Sequence, residues 1–331
     1  MRRTGFAAVV GAAAVFLAPA IGLAQSGDGA PMRTVDGHPD ISGTFTFRTL
    51  TPMQRPDQFA DQETLDPETA AAFEASERTR QNRDLFDPET GQPSAGYAPR
   101  AQGGVLSYNE FWYERGIELT ADKRTSLIVD PPNGRYPPQT EAGRAANRAR
   151  SAYRADHMYD SYENRTIGDR CLMFGKSGPP LSPGAYNNNL MIFQTADTVV
   201  ILTEQVRQAR IIPLSDMPRP EVNLLSGISR GHWEGETLVI ETTNMRDWGD
   251  LQHHPGVHLV ERITRLDADA LSYDYTVTNP TRYTAPYTVE LPLRRTDGPI
   301  FEYACHEGNI GLHGILAGAR SLERLGRELR P

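Results

Sequence analysis

The chain has 331 residues and carries 42 acidic against 34 basic side chains, which gives a formal net charge of −8. A protein this acidic has no general attraction for nucleic acid or for anionic lipid, so neither is expected as a partner. The roughly 300 residues that follow the N-terminal segment can bury a large core, as one large domain or as two smaller ones.

The N-terminal residues have the pattern of a secretory signal peptide. Two arginines precede an apolar run from Phe6 to Ala18, and small residues ending at Ala24 are typical of a cleavage site. The apolar run is shorter than the roughly 20 residues that a membrane-spanning helix needs. We therefore expect residues 1–24 to be removed, with an uncleaved anchor as the alternative. Loss of the two arginines would change the charge from −8 to −10.

The expected mature protein is soluble, without a membrane span, and is periplasmic or secreted. Cys171 and Cys305 are its only cysteines, and two distant cysteines in an oxidising compartment usually pair. We expect a disulfide between them, which would stabilise the fold by roughly 4–5 kcal/mol through the entropy of the unfolded chain. Two buried thiols or a redox pair are the alternatives, although CxxC spacing does not occur in the sequence.

The residues after the signal segment are expected to form one domain. Residues 25–40 are polar and rich in Gly and Pro, which predicts a flexible lead-in. Residues 41–331 are expected to form a single β-rich domain, into which residues 50–185 insert helices and long loops.

Two strands and two helices are predicted in the first half of this domain. Alternation in ISGTFTF at 41–47 predicts a first strand, and TSLIV at 125–129 predicts a short buried strand. Asp66 followed by Pro67 predicts the start of a helix, because an acidic N-cap and a proline at the first helical position both favour helix initiation. Residues 140–162 predict a second charged helix.

From residue 186 onward the sequence changes to successive strands separated by short turns. Two strands are predicted on either side of Ala196-Asp197, a hairpin at Glu234-Gly235, and three further strands between 257 and 295. This spacing is typical of an antiparallel meander, because parallel strands would need helical crossovers. We predict an all-β fold, a lipocalin-like antiparallel barrel or strongly curled sheet with peripheral helices.

Each strand of this half has one apolar face and one mixed polar face. In LSYDYTV, for example, Tyr273 and Tyr275 share one face, whereas Asp274 and Thr276 share the other. If the polar face points inward, the barrel holds a charged pocket. If the apolar face points inward, the core is hydrophobic, and alternation alone does not choose between the two arrangements.

A set of short motifs extends over most of the chain. The most distinctive are DRCL, YNNN, SRGHWEGETLVIETTN, YACHEGN and GILAGAR. With these motifs the chain resembles a large family of secreted bacterial β-rich proteins of unassigned function. Members of that family usually have a histidine where this chain has Gln208. The resemblance implies a common sequence pattern and supplies no reaction.

Four side chains are predicted as candidate acid–base groups. His306 and Glu307 lie in CHEGN beside the expected disulfide, where a histidine can act as general acid or base. The alternative is that Glu307 caps a following helix and that His306 bonds to backbone. Glu204 is a candidate if it points inward, because buried acids often have perturbed pKa values. His258 is a candidate because it lies in a strand near Glu261.

Amide, aromatic and arginine side chains are predicted as ligand contacts. Three successive asparagines could hydrogen-bond to the hydroxyls of a polar ligand or could simply close a turn. Glu204 and Arg210 are expected to share one face of one strand, either lining the barrel or forming ion pairs in solvent. The predicted ligand-binding residues are Tyr186, Asn187, Asn188, Asn189, Arg210, Trp112, Trp233 and Asn309.

No metal or cofactor is expected. The run DWGDLQHHPGVH at 247–258 contains five possible ligands but no recognised metal-binding spacing. The sequence also contains no G-x-S-x-G elbow, Walker loop or dinucleotide fingerprint.

These features predict an extracytoplasmic β-barrel that binds a small organic ligand in a cavity. The alternative is a cofactor-free lyase, isomerase or hydrolase that uses acid–base residues such as His306 and Glu204. A third alternative is an envelope protein with a filled barrel and no ligand. The sequence predicts neither the ligand nor the oligomeric state.

Overall fold

A ten-stranded antiparallel sheet dominates the structure, a computed structural model that describes residues 32–82, 110–175, 177–246 and 256–326. The strands are β1 (Gly43–Thr46), β2 (Ile128–Asp130), β3 (Asn189–Gln194), β4 (Thr198–Thr203), β5 (Ala209–Pro213), β6 (Ile228–Glu234), β7 (Thr237–Thr243), β8 (His258–Arg265), β9 (Ala270–Thr278) and β10 (Tyr287–Arg295). Their order is β5-β4-β3-β1-β10-β9-β8-β7-β6, and β2 pairs with β10. The predicted all-β antiparallel fold is confirmed.

The sheet curls until its two edge strands, β5 and β6, lie side by side. Gly231 on β6 makes this approach possible, because a Cβ there would lie 2.7 Å from Leu214 Cδ2 and 3.1 Å from Ile212 Cγ2. In the described sheet the two edge strands contact each other without a hydrogen-bonded ladder. The sheet is therefore a nearly closed barrel, as the sequence predicts.

The apolar face of each strand points inward, and side chains fill the barrel. Tyr273 and Tyr275 of β9 and Phe45 of β1 are among the largest fully buried side chains. Asp274 and Thr276 of β9 point the other way and are only partly buried. The alternative of a polar barrel lining is therefore wrong, because burial of the apolar face stabilises the fold by about 1.5–3 kcal/mol per large side chain.

One buried ion pair lies within this apolar core. Glu261 of β8 is 0% exposed and accepts hydrogen bonds from Arg210 Nη1 at 2.8 Å, from Arg210 Nη2 at 2.9 Å and from the Tyr273 hydroxyl at 2.6 Å. This bidentate contact compensates for the removal of two charges from water. The cavity beside the pair has a volume of about 10 Å³, which is room for at most one water molecule.

Three strands form between residues 189 and 213, where the sequence predicts two. The chain leaves β4 at Thr203 and turns through Val206 and Arg207, whose φ angles of 62° and 47° are left-handed. The expectation that Glu204 and Arg210 share one strand is therefore wrong. The turn contains neither glycine nor proline, so the sequence offers no signal that would predict it.

Three helices accompany the sheet: α1 (Pro67–Gln81), α2 (Glu141–His157) and α3 (Ile310–Arg324). The predicted N-cap of α1 is confirmed, since Asp66 accepts hydrogen bonds from the backbone N–H groups of Glu68 and Thr69. The second predicted helix is also present. The cap of α3 is Asn309, which accepts from Leu312 N at 3.3 Å, so the alternative of a Glu307 cap is wrong.

The predicted disulfide joins Cys171 to Cys305, whose Cα atoms are 5.6 Å apart. Beside it the rings of Phe174 and Tyr303 meet edge to face, with centroids 5.9 Å apart. These two contacts fix the segment that leads from β10 to α3. The disulfide thereby limits where the preceding residues, 296–301, can lie.

The predicted signal segment and the first residues of the lead-in lie outside the described residues. Residues 33–39 of the lead-in form a small bridged turn, in which Thr34 N donates to His38 O at 2.9 Å. In the part of the chain that the structure describes, no helix has the length and apolar character to cross a membrane.

Replacing one partner of the buried ion pair should destabilise the barrel far more than replacing both. Arg210→Met leaves Glu261 buried without its guanidinium, and we expect a loss of about 3–5 kcal/mol in the free energy of unfolding. Arg210→Met combined with Glu261→Met should recover most of that loss, because neither charge then remains. Urea unfolding of the wild type, both single variants and the double variant measures the coupling. If the double variant lost as much stability as the two single variants together, the proposed coupling between Arg210 and Glu261 would be contradicted.

Candidate functional site

An open cleft of about 430 Å³ lies at the end of the barrel where β3 begins and β4 ends. The segment 111–114 lines it together with Asn189, Glu204 and residues of the segment 296–301. We call this feature the acidic cleft. Its volume falls within the roughly 300–1,000 Å³ that is typical of small-molecule sites.

Two carboxylates share one amide in the acidic cleft. Asn189 Nδ2 lies 2.8 Å from Glu204 Oε2 and 3.2 Å and 3.1 Å from the two carboxylate oxygens of Glu114. The backbone N–H of Glu204 also donates to the Asn189 carbonyl oxygen at 2.9 Å. The two acids are therefore close together, and close like charges disfavour simultaneous ionisation.

The two acids have different surroundings. Glu204 is only 4% exposed, and burial raises its pKa above the ordinary glutamate value, despite the hydrogen bond from Asn189; the nearby charge of Glu114 raises it further. Glu114 is more exposed and has Arg48 Nη1 at 3.9 Å from its Oε1 atom. Among the described residues, no Lys, Arg or His side chain lies within 4.0 Å of the Glu204 carboxylate. Within the described part of the chain, Glu204 is thus a buried acid without a cationic partner.

Asn188 fixes the segment that carries Glu114. Its side chain is fully buried, its Nδ2 donates to the carbonyl oxygens of Glu114 and Gly184 at 2.9 Å each, and its Oδ1 accepts from Gly184 N at 2.7 Å. These contacts occupy both amide protons and the amide oxygen. Asn188 therefore holds the backbone of the cleft instead of presenting its amide to the cleft.

Arg115 anchors the same segment. Its Nη1 atom donates to both carboxylate oxygens of Glu110 and to the Gln81 carbonyl oxygen, each at 2.7 Å, and its guanidinium lies 3.9 Å from the Tyr113 ring centroid. Gly116 completes the anchor, because a Cβ there would lie 2.1 Å from the backbone carbon of Thr49. The segment is held by its polar and backbone groups.

Three of the aromatic side chains that line the cleft are turned towards solvent. Phe111 is 85% exposed, Trp112 is 65% exposed and Phe301 is 69% exposed. All three line the acidic cleft. Neighbouring exposed aromatic rings in a concave site are typical of a binding surface, because apolar surface of this kind is otherwise buried.

The remaining predicted residues of the Asn-rich segment contribute to the shape of the site. Asn187 has a left-handed φ of 53°, and its side chain provides a hydrogen bond to Glu204. The Tyr186 ring lies 6.3 Å from the ring of Tyr113. The sequence left open whether the three asparagines close a turn or present amides to a site. Asn187 forms a turn, whereas Asn189 presents its amide to the two acids.

Three residues predicted around CHEGN lie apart from the acidic cleft. His306 and Glu307 are exposed in the turn before α3. Asn309 caps α3 and donates to the Asp169 carbonyl oxygen at 3.0 Å. The structure therefore places this motif at the disulfide, and the lining of the cleft includes none of the three.

Three other predicted residues also lie elsewhere. His258 is on the outer face of β8, with its Nε2 atom 3.9 Å from Glu241 Oε2. Trp233 packs against the core and stacks on His38, with ring centroids 4.8 Å apart. Arg210 points into the core, where it binds Glu261. None of the three lines the acidic cleft.

The sequence predictions missed several residues of the cleft, and Glu114 and Phe301 are two of them. Glu114 directly follows the aromatic run FWY. A carboxylate beside aromatic residues is the sequence feature that could have predicted it as part of a binding site. Phe301 had no comparable signal, because it lies in an irregular segment that the disulfide places. Both residues join the site only through the tertiary fold.

A second cleft, of about 610 Å³, lies between α2 and the segment 163–175. Its lining includes Arg150, Arg154 and Arg165, but Arg165 is already bound to Asp169 at 3.0 Å. Across the described ranges, no three His, Cys, Asp or Glu side chains are grouped so that they could hold a metal ion. Most of the run 247–258 lies outside those ranges.

Comparison of the chain with protein-family models and with curated proteins gave no match in either case. The structure itself is a nearly closed antiparallel barrel with an acidic, aromatic cleft at one end.

Glu204→Gln should stabilise the folded protein at neutral pH, because it removes a carboxylate whose burial is unfavourable. Burial raises the pKa of Glu204, so the carboxyl group binds its proton more tightly in the folded protein than in the unfolded chain. The tighter binding of this proton stabilises the folded wild type at low pH. That stabilisation is lost as pH rises from the ordinary glutamate pKa through the raised pKa of Glu204.

Urea unfolding between about pH 4 and about pH 8 measures this difference. Wild type and Glu204→Gln should have similar stability at the acidic end and should diverge as pH rises. Glu221→Gln, at an exposed position, is the matched control and should follow the wild type. A Glu204→Gln difference that does not change with pH would contradict the burial of an ionisable acid.

Proposed function

We propose that the protein binds a small organic molecule in the acidic cleft, outside the cytoplasm. The observation that carries the proposal is a buried carboxylate, Glu204, in an open cleft whose aromatic lining is exposed. Small-molecule sites typically combine an apolar surface with a few convergent polar groups. The filled barrel interior favours a site at the end of the barrel over the expected internal cavity.

The proposed compartment rests on the disulfide and on the N-terminal pattern. Disulfides form and persist in oxidising compartments such as the bacterial periplasm. The first 24 residues have the order of a signal peptide, a charged start, an apolar run and small residues. The resemblance to secreted bacterial proteins supports the same compartment.

The paired acids favour a second candidate, a cofactor-free lyase, isomerase or hydrolase. Two neighbouring carboxyl groups, one of them buried with a raised pKa, are a common arrangement for acid–base catalysis. In such a reaction Glu204, whose pKa is raised by burial, would carry and donate the proton, and Glu114 would be the neighbouring acceptor. His306 has no part in this candidate, because it lies apart from the cleft.

Trp112→Leu should abolish stabilisation by ligand without weakening the fold, because Trp112 is exposed and lines the cleft. A chemically diverse set of small molecules is added to the wild type, and the change in Tm is measured. We expect at least one class of compound to raise the Tm of the wild type and not that of Trp112→Leu. Trp233→Phe is the matched control, because Trp233 packs elsewhere, and it should retain the effect.

A compound that stabilises Trp112→Leu as much as the wild type would place the binding site elsewhere. Failure of every compound to stabilise the wild type would contradict the proposed function.

The two candidate functions differ in what Glu204→Gln does to a bound compound. For an enzyme, Glu204→Gln should abolish conversion while the compound still binds, because the amide cannot donate the carboxyl proton. For a binding protein, the compound should be recovered unchanged from the wild type. Prolonged incubation followed by NMR of the compound distinguishes them, and conversion that persists in Glu204→Gln would exclude this residue as the acid.

A further inference from the structure

We infer that the ligand of the acidic cleft is an organic ammonium ion, whose N–H groups bind Glu114 and Glu204 while its apolar part packs on the exposed aromatic rings. This inference rests on the proposed function, because it names the chemical class of ligand for the same cleft.

The charges of the cleft favour a cation. Glu114 and Glu204 line it, and its lining includes no Lys, Arg or His side chain. Arg48, about half exposed, is the one cation within 4.0 Å of either acid among the described residues, and it approaches Glu114 alone. A ligand cation would give Glu204 the cationic partner that none of the described residues provides. An anionic ligand would instead bring negative charge to a cleft lined by two acids.

The hydrogen-bonding groups of the cleft favour a donor. Asn189 Nδ2 is already shared by the two acids, and the Asn188 amide is used by the backbone. A ligand cation beside Glu204 favours the ionised form of this carboxyl group, and an ionised carboxylate accepts hydrogen bonds and cannot donate them. A primary ammonium group offers three N–H donors, so it can contact both acids at once. A neutral hydroxyl can also donate, but its hydrogen bonds to carboxylate lack the added charge interaction.

The exposed rings favour the same class of ligand. Phe111, Trp112 and Phe301 provide apolar contact for the carbon skeleton of the ligand. The faces of aromatic rings also attract cations, most strongly in tryptophan. A quaternary ammonium ion would use the rings but would offer the carboxylates no N–H donor, so it should bind less tightly than a primary amine.

Isothermal titration calorimetry with three probes of matched shape tests the inference: 2-phenylethylamine, 2-phenylethanol and 3-phenylpropanoate. We expect the amine to bind about tenfold more tightly than the alcohol, and the carboxylate to bind most weakly. Glu204→Gln and Glu114→Gln should each reduce the preference for the amine. Trp112→Leu should weaken the amine and the alcohol alike, and Glu221→Gln should change neither.

The outcomes separate the ligand class from the proposed function. Alcohol or carboxylate binding that equals amine binding, and is still lost in Trp112→Leu, overturns the ammonium assignment and leaves ligand binding in place. Amine binding that is unchanged in both glutamine variants also overturns it. If none of the three probes binds, the ligand class is decided by the compounds that raise the Tm of the wild type and not that of Trp112→Leu. A neutral or anionic compound with this effect overturns the ammonium assignment. If no compound does so, both proposals fail.

Discussion

A single amide between two carboxylates organises the end of this barrel. Asn189 begins β3 and Glu204 follows β4, so the hydrogen-bonded ladder between these strands sets the distance between the two side chains. The adjacent Asn188 holds the backbone of Glu114 and so brings the second acid to the same amide. Because side chains alternate along a strand, a shift of register by one residue would turn Asn189 away from both acids. The chemistry of the acidic cleft therefore depends on the register of the sheet.

Two buried glutamates show how differently the fold treats the same residue type. Glu261 receives a bidentate guanidinium and a phenol hydroxyl, so its charge is fully compensated inside the core. Glu204 receives amide hydrogen bonds and no cation within the described residues. A buried acid in this condition lowers stability, and such acids occur preferentially at sites of binding or catalysis. That contrast favours the end of the barrel over its interior as the location of the proposed function.

The parts of the fold that follow from local chemistry were predictable from sequence. The meander has short turns, α1 has an acidic N-cap followed by proline, and the two cysteines have only each other as partners. The inward face of each strand could not be predicted, because alternation reports two faces without saying which is buried. The turn after Glu204 was missed because Val206 and Arg207 adopt left-handed backbone without a glycine. The site itself was found in part: Asn189, Glu204 and Trp112 were predicted separately, but only tertiary structure brings Glu114 and Phe301 to them.

A crystal structure of the protein with 2-phenylethylamine bound tests the central claim most directly. We predict that the amine nitrogen lies within hydrogen-bonding distance of Glu114 and Glu204, and that the phenyl ring packs against Trp112 or Phe301. A ring in the cleft whose nitrogen points away from both acids would contradict the role of the paired carboxylates. Amine bound elsewhere on the protein, with the acidic cleft empty, would contradict the account as a whole.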